Sequence, residues 1–413
     1  MLRFAFPRAH QKYFSLPLLG PIADGFDDWL AASGFTRGSR KLALNLLPIA
    51  DKKLRRRGVD EVAKLNHALL DDCCEALKKK HPCRAGTIHT LERYLVANGL
   101  IVDHRHAAAT PPSTLSAEYA DHLREVRGFA ASTVSSHRRT AEGFLQHLEK
   151  TGVALRTIRT SNIESYIAEA STRLNRASLQ HDIGALRGFL RFLSMDDRAP
   201  AGLERQIDTP RLYRFEQLPR ALPWETVRTL LQSIDRTSPM GLRDYAMFLL
   251  IATYGLRASE VVAISLEDIL WRKGILRIHQ RKTSSPLELP LTNEVLSALV
   301  KHLKRTPPPA SYRRVFLRMR APIGTLKPTA VTEAFQALVR KSGLSIPYQG
   351  PHCLRHSYAV CLLKNGTPLK TIGDILGHRT AESTSMYLRL ATGDLREVAL
   401  AVPGRDKQKE GQC

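Results

Sequence analysis

The chain has 413 residues, 43% of them hydrophobic, and a formal net charge of +23 with a pI near 10.1. That length exceeds one ordinary core and implies two or three domains, while the apolar content excludes wholesale disorder. So large a positive excess points to a polyanionic partner, most often nucleic acid. The charge is uneven, since residues 201–413 carry 32 Lys and Arg against 18 Asp and Glu.

From the N-terminus, MLRFAFPRAHQKYFSLPLLGPIA is broken by prolines and no export pattern follows, so it does not read as a signal peptide. Residues 1–200 show apolar positions at helical spacing and no alternating strands, which predicts an all-helical half. A weak repeat runs through it. Gly34-Phe35 is followed by Gly58-Val59, and Gly128-Phe129 by Gly152-Val153, at an offset of 94. Leu91–Leu95 resembles Leu186–Leu190 at an offset of 95, so one helical unit is expected twice. Cys73, Cys74, His81, Cys83 and His89 could suggest zinc, but no paired C-x₂₋₄-C spacing is completed and no metal is expected. The six cysteines form no disulfide framework, which suits reduced thiols. HRHAAATPPS (104–113) and the proline-bearing stretch 197–223 read as linkers.

The remainder is mixed. PWETVRTLLQSI and GLRDYAMFLLIATYGL predict helices, and the run YAMFLLIATYGL is too short to span a bilayer. GILRIHQ and PLELPL alternate and predict a hairpin. RTPPPASY (305–312) reads as a loop. Helices are expected from LTNEVLSALVKHLKR, TAVTEAFQALVRKSG and HCLRHSYAVCLLKNG. In NGTPLKTIGDILGH, Gly366 suits a helix end, Thr367 an N-cap, Pro368 a first turn and Gly377 the next stop. A last helix carries ESTSMYLRL, and the tail PGRDKQKEGQC is polar.

Six side chains in this half could break a phosphodiester without a metal. Arginine neutralises charge building on phosphoryl oxygens and can donate two parallel bonds. Tyrosine can attack and keep the bond energy as an ester. Lysine or histidine can protonate a leaving oxygen. Arg257, Lys282, His352, Arg355, His378 and Tyr387 occur in that order. Singly each has an ordinary reading: Arg257 paired with Glu260, Lys282 in an exposed turn, His352 and Arg355 on a solvated helix face, His378 capping a helix, Tyr387 in a core.

Together, GLRASE (255–260), Lys282, HCLRHS (352–357), LGH (376–378) and Tyr387 closely resemble the tyrosine recombinase (phage integrase) family. The resemblance spans roughly 222–395, is weaker over 113–200, and does not cover 1–105. It implies that Arg257, His352 and Arg355 contact the scissile phosphate and that His378 hydrogen-bonds a phosphoryl oxygen. Lys282 would protonate the departing 5′ oxygen, and Tyr387 would attack to leave a 3′-phosphotyrosyl link. His356 and Ser357 read as packing or support, and Glu260 as holding the local helix. The hairpin departs from the family's frequent GKGxK, reading HQRKT with Arg281 beside Lys282.

The expected fold is mainly α: helical N-terminal domains followed by an α+β catalytic domain with a small β-sheet or hairpin. The expected boundaries are a helical domain at 1–105, possibly a duplicated DNA-binding unit, and a SAM-like core-binding domain at 113–200. A linker at 201–221, a catalytic domain at 222–402 and a tail at 403–413 follow. The resemblance implies double-stranded DNA as partner, a homo- or hetero-tetramer on two paired sites, no cofactor, no membrane, and a cytoplasmic site of action. Service to a mobile element is the expected role. The rival readings are a topoisomerase-like nicking–closing enzyme and a catalytically silent DNA-binding regulator.

Overall fold

The computed structural model describes the chain except residues 1, 8, 79–81, 102–113, 214–215, 217, 281–285, 379 and 391–413. The expected linker at 104–113, Lys282 and the tail lie outside the described residues. The chain divides into two compact units, residues 1–48 with 217–413, and residues 49–216.

Residues 1–48 hold α1 (Leu2–Ala5), α2 (His10–Phe14), α3 (Ala23–Ala32) and α4 (Arg37–Leu44). The Thr36 hydroxyl caps α4 by accepting from the Ser39 amide at 3.3 Å, a standard use of threonine at a helix start. Buried Asp27 is neutralised by Arg40, whose Nε donates at 2.8 Å. This segment packs within the same unit as the C-terminal half. The Ile323 amide donates to the Ser33 carbonyl at 3.0 Å. Gly34, at φ +83°, lies so near Ile323 that an added Cβ would fall 2.5 Å from its Cδ1.

The second unit continues with α5 (Leu47–Arg55), α6 (His67–Lys78), α7 (Pro82–Ala97), α8 (Thr114–Glu125), α9 (Ala131–Thr151), α10 (Thr160–Ser171) and α11 (Arg176–Met195). Helices α8–α11 enclose a core of Tyr119, Phe144, Ile163, Leu186, Phe189 and Leu193. The four glycines of the sequence repeat all have positive φ, so the shared punctuation marks real chain turns. What lies between them differs. α4 and α5 occupy the first interval, whereas the single 21-residue α9 fills the second. Asn45 ends α4, and Pro48 lies in the first turn of α5, where its missing N–H costs nothing.

The C-terminal half contains α12 (Trp224–Gln232), α13 (Pro239–Tyr254), α14 (Ala258–Val261), β1 (Ile269–Leu270), β2 (Ile275–His279), β3 (Pro286–Pro290), α15 (Asn293–Arg305), α16 (Pro328–Ser342), α17 (His352–Lys364), α18 (Leu369–Leu376) and α19 (Glu382–Ser385). The expected hairpin is the β2–β3 pair, with Ile275 opposite Pro290 and His279 opposite Pro286. β1 adds a third antiparallel strand too short for an alternating pattern to announce it. α13 is buried almost all round, from Tyr245 through Ala252, and packs against α15 and α17. That explains its continuous apolar run, because a helix without a solvent face needs no amphipathic period. Ser238 caps it, Pro239 opens it and Gly255 ends it in the left-handed region at φ +63°. No helix among the described residues is long and apolar enough to cross a membrane.

Candidate active site

The site begins where α13 stops. An added Cβ at Gly255 would meet Leu376 Cδ2 at 2.6 Å and Tyr358 Cδ1 at 2.9 Å, so only glycine lets α17 and α18 approach this turn. Two residues on, Arg257 starts α14. Its amide donates to Glu260 Oε2 at 2.8 Å, and its Nη1 donates to Glu260 Oε1 at 2.6 Å. Glu260 therefore caps the helix and fixes the guanidinium at once, from a position only 3% exposed.

Arg355 enters from α17 and is equally buried. Its Nη1 donates to the Gly255 carbonyl and its Nη2 to the Leu376 carbonyl. Arg257 Nη2 reaches toward the same end of α18, 3.5 Å from the Leu376 oxygen and 3.4 Å from that of Gly377. The C-terminus of a helix carries partial negative charge, so α18 ends where two cations converge. Burial, then the neighbouring Arg257, brings Arg355 down from 12.5 to about 10. The two guanidiniums share one carboxylate, Glu260, which leaves an electrostatic deficit suited to an anion.

Beyond Leu376 the chain turns at Gly377, with φ +61°. A Cβ there would fall 2.1 Å from Gln280 Oε1, just past the end of β2. The His378 amide donates to the Gly373 carbonyl at 2.9 Å, which fixes its backbone. His378 Nδ1 lies 2.8 Å from Thr384 Oγ1, which leaves Nε2 to meet a ligand. Tyr387 follows on a 3₁₀ turn, Met386–Leu390, rather than on the regular helix expected there. It is 1% exposed, and its hydroxyl lies 3.0 Å from His356 Nδ1. Burial raises its pKa, while Arg355 and Arg257 pull the other way, so the hydroxyl keeps its proton.

The rings form a ladder. His352 meets His356 edge-on at 4.6 Å between centroids, His356 meets Tyr387 at 5.6 Å, and Tyr387 stacks on His378 at 6.4 Å. His356 and His378 are both pushed down to about 4, chiefly by burial and further by nearby cationic groups. Both are neutral at physiological pH. A cavity of about 260 Å³ borders His352 and His356 and is lined also by Pro219, Arg220, Tyr348 and Met386. Burial pushes the neighbouring Cys353 thiol up to about 12, which makes it an inert core group.

The structure thus brings Arg257, His352, Arg355, His378 and Tyr387 together, while Lys282 lies outside the described residues. Sequence reasoning assigned His356 to packing or support, and the structure places it against the tyrosine hydroxyl. Its position one helical turn after His352 was the available signal. Ser357 does act as support, accepting from the Leu222 amide at 2.7 Å. Thr384 and Gln280 carried no sequence signal, because their partners are defined only by the folded turns around Gly373–His378. α18 starts at Leu369 with Pro368 as its N-cap, one residue later than expected, and Gly377 ends it as expected.

Residues 220–393 match the phage integrase family, and residues 117–196 match the N-terminal SAM-like domain of phage integrases. The integrase/recombinase y4rA of Sinorhizobium fredii is 31% identical over 414 residues, covering 95% of this chain and 99% of that protein. Tyrosine recombinase XerD of Listeria monocytogenes is 28% identical over 66% of this chain and 92% of its own length. Among solved structures, a lambda integrase dimer bound to a COC′ core site superposes with a TM-score of 0.54. It has 17% identity and covers 78% of this chain and 91% of that one. XerH site-specific recombinase bound to palindromic difH gives a TM-score of 0.52 at 18% identity, covering 68% and 83%. The chain belongs to the phage integrase family of tyrosine recombinases, enzymes that cleave and rejoin DNA.

Proposed function

We propose that this recombinase cuts duplex DNA with Tyr387 and rejoins it through a 3′-phosphotyrosyl intermediate. The observation that carries the reading is the convergence of Arg257 and Arg355 on the end of α18, beside the Tyr387–His356 pair. The scissile phosphate supplies the missing anion. Arg257, Arg355 and His352 hold its non-bridging oxygens, and His378 donates from Nε2. The Tyr387 oxygen attacks phosphorus as the bond to the 5′ oxygen breaks. The tyrosine proton passes to the neutral His356 Nδ1, 3.0 Å from the hydroxyl at rest, and a proton reaches the departing 5′ oxygen from Lys282. Religation is the reverse, with a 5′ hydroxyl attacking the tyrosyl phosphate. Tyr387 Oη must exchange His356 for the phosphate, so DNA binding has to draw the 386–390 turn away from its resting contact.

The partner we propose is double-stranded DNA, held as two sites by a tetramer. The basic excess supports phosphate contacts whose affinity falls steeply with salt. In this reading, residues 113–200 form the core-binding domain, 222–402 the catalytic domain, and the enzyme serves a mobile element in the cytoplasm. The test is a nicked suicide site that traps the intermediate. Wild type should yield a covalent adduct whose DNA-bearing peptide contains Tyr387, and Tyr387→Phe should bind the site and yield none. An adduct on another residue would overturn the assignment. Binding without any adduct in the wild type would favour a silent regulator, and supercoil relaxation without joining of two sites would favour a nicking–closing enzyme.

A further inference from the structure

The cleavage step leaves unused the cavity of about 260 Å³ that borders His352 and His356. Its chemistry suits an anion. Arg220, Tyr348 and Met386 line it with the two histidines, and no carboxylate among the described residues shares the lining. The Arg220 side chain is exposed, and no ion pair holds it among the described residues. Burial chiefly, then cationic neighbours that include Arg220, hold His356 low, so the guanidinium charge is felt at that ring.

An exposed arginine is ordinarily a solvated surface charge. What distinguishes Arg220 is how its backbone is held. It is the central residue of a tight turn, closed by the Ala221 amide donating to the Pro219 carbonyl at 2.8 Å, the three-residue γ pattern. Pro219 is buried before it, and Leu222 joins the catalytic core after it. The Leu222 amide donates to Ser357 Oγ at 2.7 Å, and that hydroxyl donates to the Cys353 carbonyl at 2.9 Å. Ser357 follows His356 on α17, so the turn is fastened to the helix that carries His352, Arg355 and His356. A fixed backbone presents the guanidinium to the cavity with less freedom to lose on binding.

We propose that Arg220 binds a DNA phosphate flanking the scissile one and so positions the strand for attack by Tyr387. The inference rests on the cleavage reading given above, and it makes Arg220 a positioning residue. Phosphates recur along one strand at about 3.4 Å of helix axis, so fixing one brings its neighbours against the walls of the site. His352, which holds the scissile phosphate in that reading, also lines this cavity, so a flanking phosphate meets Arg220 there. Arginine suits the contact because its planar fork can donate to two oxygens of one phosphate. Met386, also in the lining, precedes the nucleophile, so a strand seated here abuts the turn that delivers Tyr387.

The test is a binding cycle with the full chain carrying Tyr387→Phe, so that no chemistry intervenes. The probes are duplex recombination sites, unmodified or with one neutral methylphosphonate at each phosphate flanking the cut in turn. Arg220→Ala should weaken binding of unmodified DNA about 10–100-fold, the range for a charge-assisted hydrogen bond. It should also lower the slope of log K against log salt by about one, whereas Arg220→Lys should keep the slope. One methylphosphonate should weaken the protein with Arg220 intact yet leave Arg220→Ala no weaker than on unmodified DNA, because that contact is already gone. A merely structural role would give no such dependence on one phosphate. Additive losses at every flanking position, or an unchanged salt slope in Arg220→Ala, would overturn the proposal. The Tyr387 adduct, formed by the wild type on the unmodified site, is scored separately. An adduct with additive losses sinks the Arg220 assignment alone, and a non-additive position without an adduct sinks the cleavage reading alone.

Discussion

Replacing Arg355 with methionine separates its structural from its chemical contribution. The side chain is 3% exposed and methionine fills a similar volume, so the fold loses little packing. Its guanidinium is held at about 10 rather than 12.5, by burial and then by Arg257, which places the net cost of carrying the charge at that position at about 3 kcal/mol. Removing the charge recovers that cost. Against it stand two carbonyls, Gly255 and Leu376, that lose a donor at about 1–3 kcal/mol each. Leu376 retains Arg257 at 3.5 Å, which keeps its loss toward the lower end. The opposing effects leave a net change within about 2 kcal/mol, a few degrees in Tm. The cleavage step has no such compensation. A donor aimed at charge that develops in the transition state is worth about 10²–10³ in rate when removed. Single-turnover cleavage of a nicked suicide site at saturating protein should therefore fall at least about a hundredfold, with the melting curve and DNA binding close to wild type. Cleavage within about tenfold of wild type would refute the phosphate role and leave Arg355 as a clasp between α13 and α18. A collapse of Tm with proportionate loss of binding would refute the compensation argued here.

Three further outcomes are expected. His356 and His378 are held at about 4 when folded, against about 6.5 unfolded. The unfolded chain therefore binds more protons between those values, so Tm should fall as pH drops from 6.5 toward 4. His378→Gln should flatten that dependence, and an unchanged slope would contradict the burial reading. Gly377→Ala should destabilise by about 1–2 kcal/mol from its left-handed backbone alone, with more from the 2.1 Å approach to Gln280. Adding Gln280→Ser should restore only the steric part in a thermal melt, and full restoration would show that the backbone conformation is not needed. Lys282→Ala should slow cleavage of a normal 5′-oxygen leaving group far more than that of a 5′-bridging sulfur, which departs without a proton. Equal losses on both substrates would assign Lys282 to binding.

The amino-acid order alone determined the parts and their sequence along the chain. The apolar helix read in GLRDYAMFLLIATYGL falls on α13, glycine punctuation ends α18, and alternation marks β2 and β3, because each of these is a local property of a few neighbouring residues. The order GLRASE, HCLRHS, LGH and Tyr387 likewise pointed to the chemistry through its resemblance to the phage integrase family. Tertiary structure decided what those parts touch. Arg257 and Arg355 meet at the Leu376 carbonyl, a backbone atom that any residue would provide and no motif can flag. His356, read from the sequence as packing or support without a named contact, is the partner of Tyr387 because a short 3₁₀ turn delivers the hydroxyl to it from thirty-one positions away. The contacts between α6 and α7 arise the same way: two helix faces, each unremarkable by its own spacing, bring the Cys74 thiol, the His89 imidazole and the Glu92 carboxylate together only when packed. Contacts between distant segments depend on how whole elements pack, and local pattern carries no record of that packing.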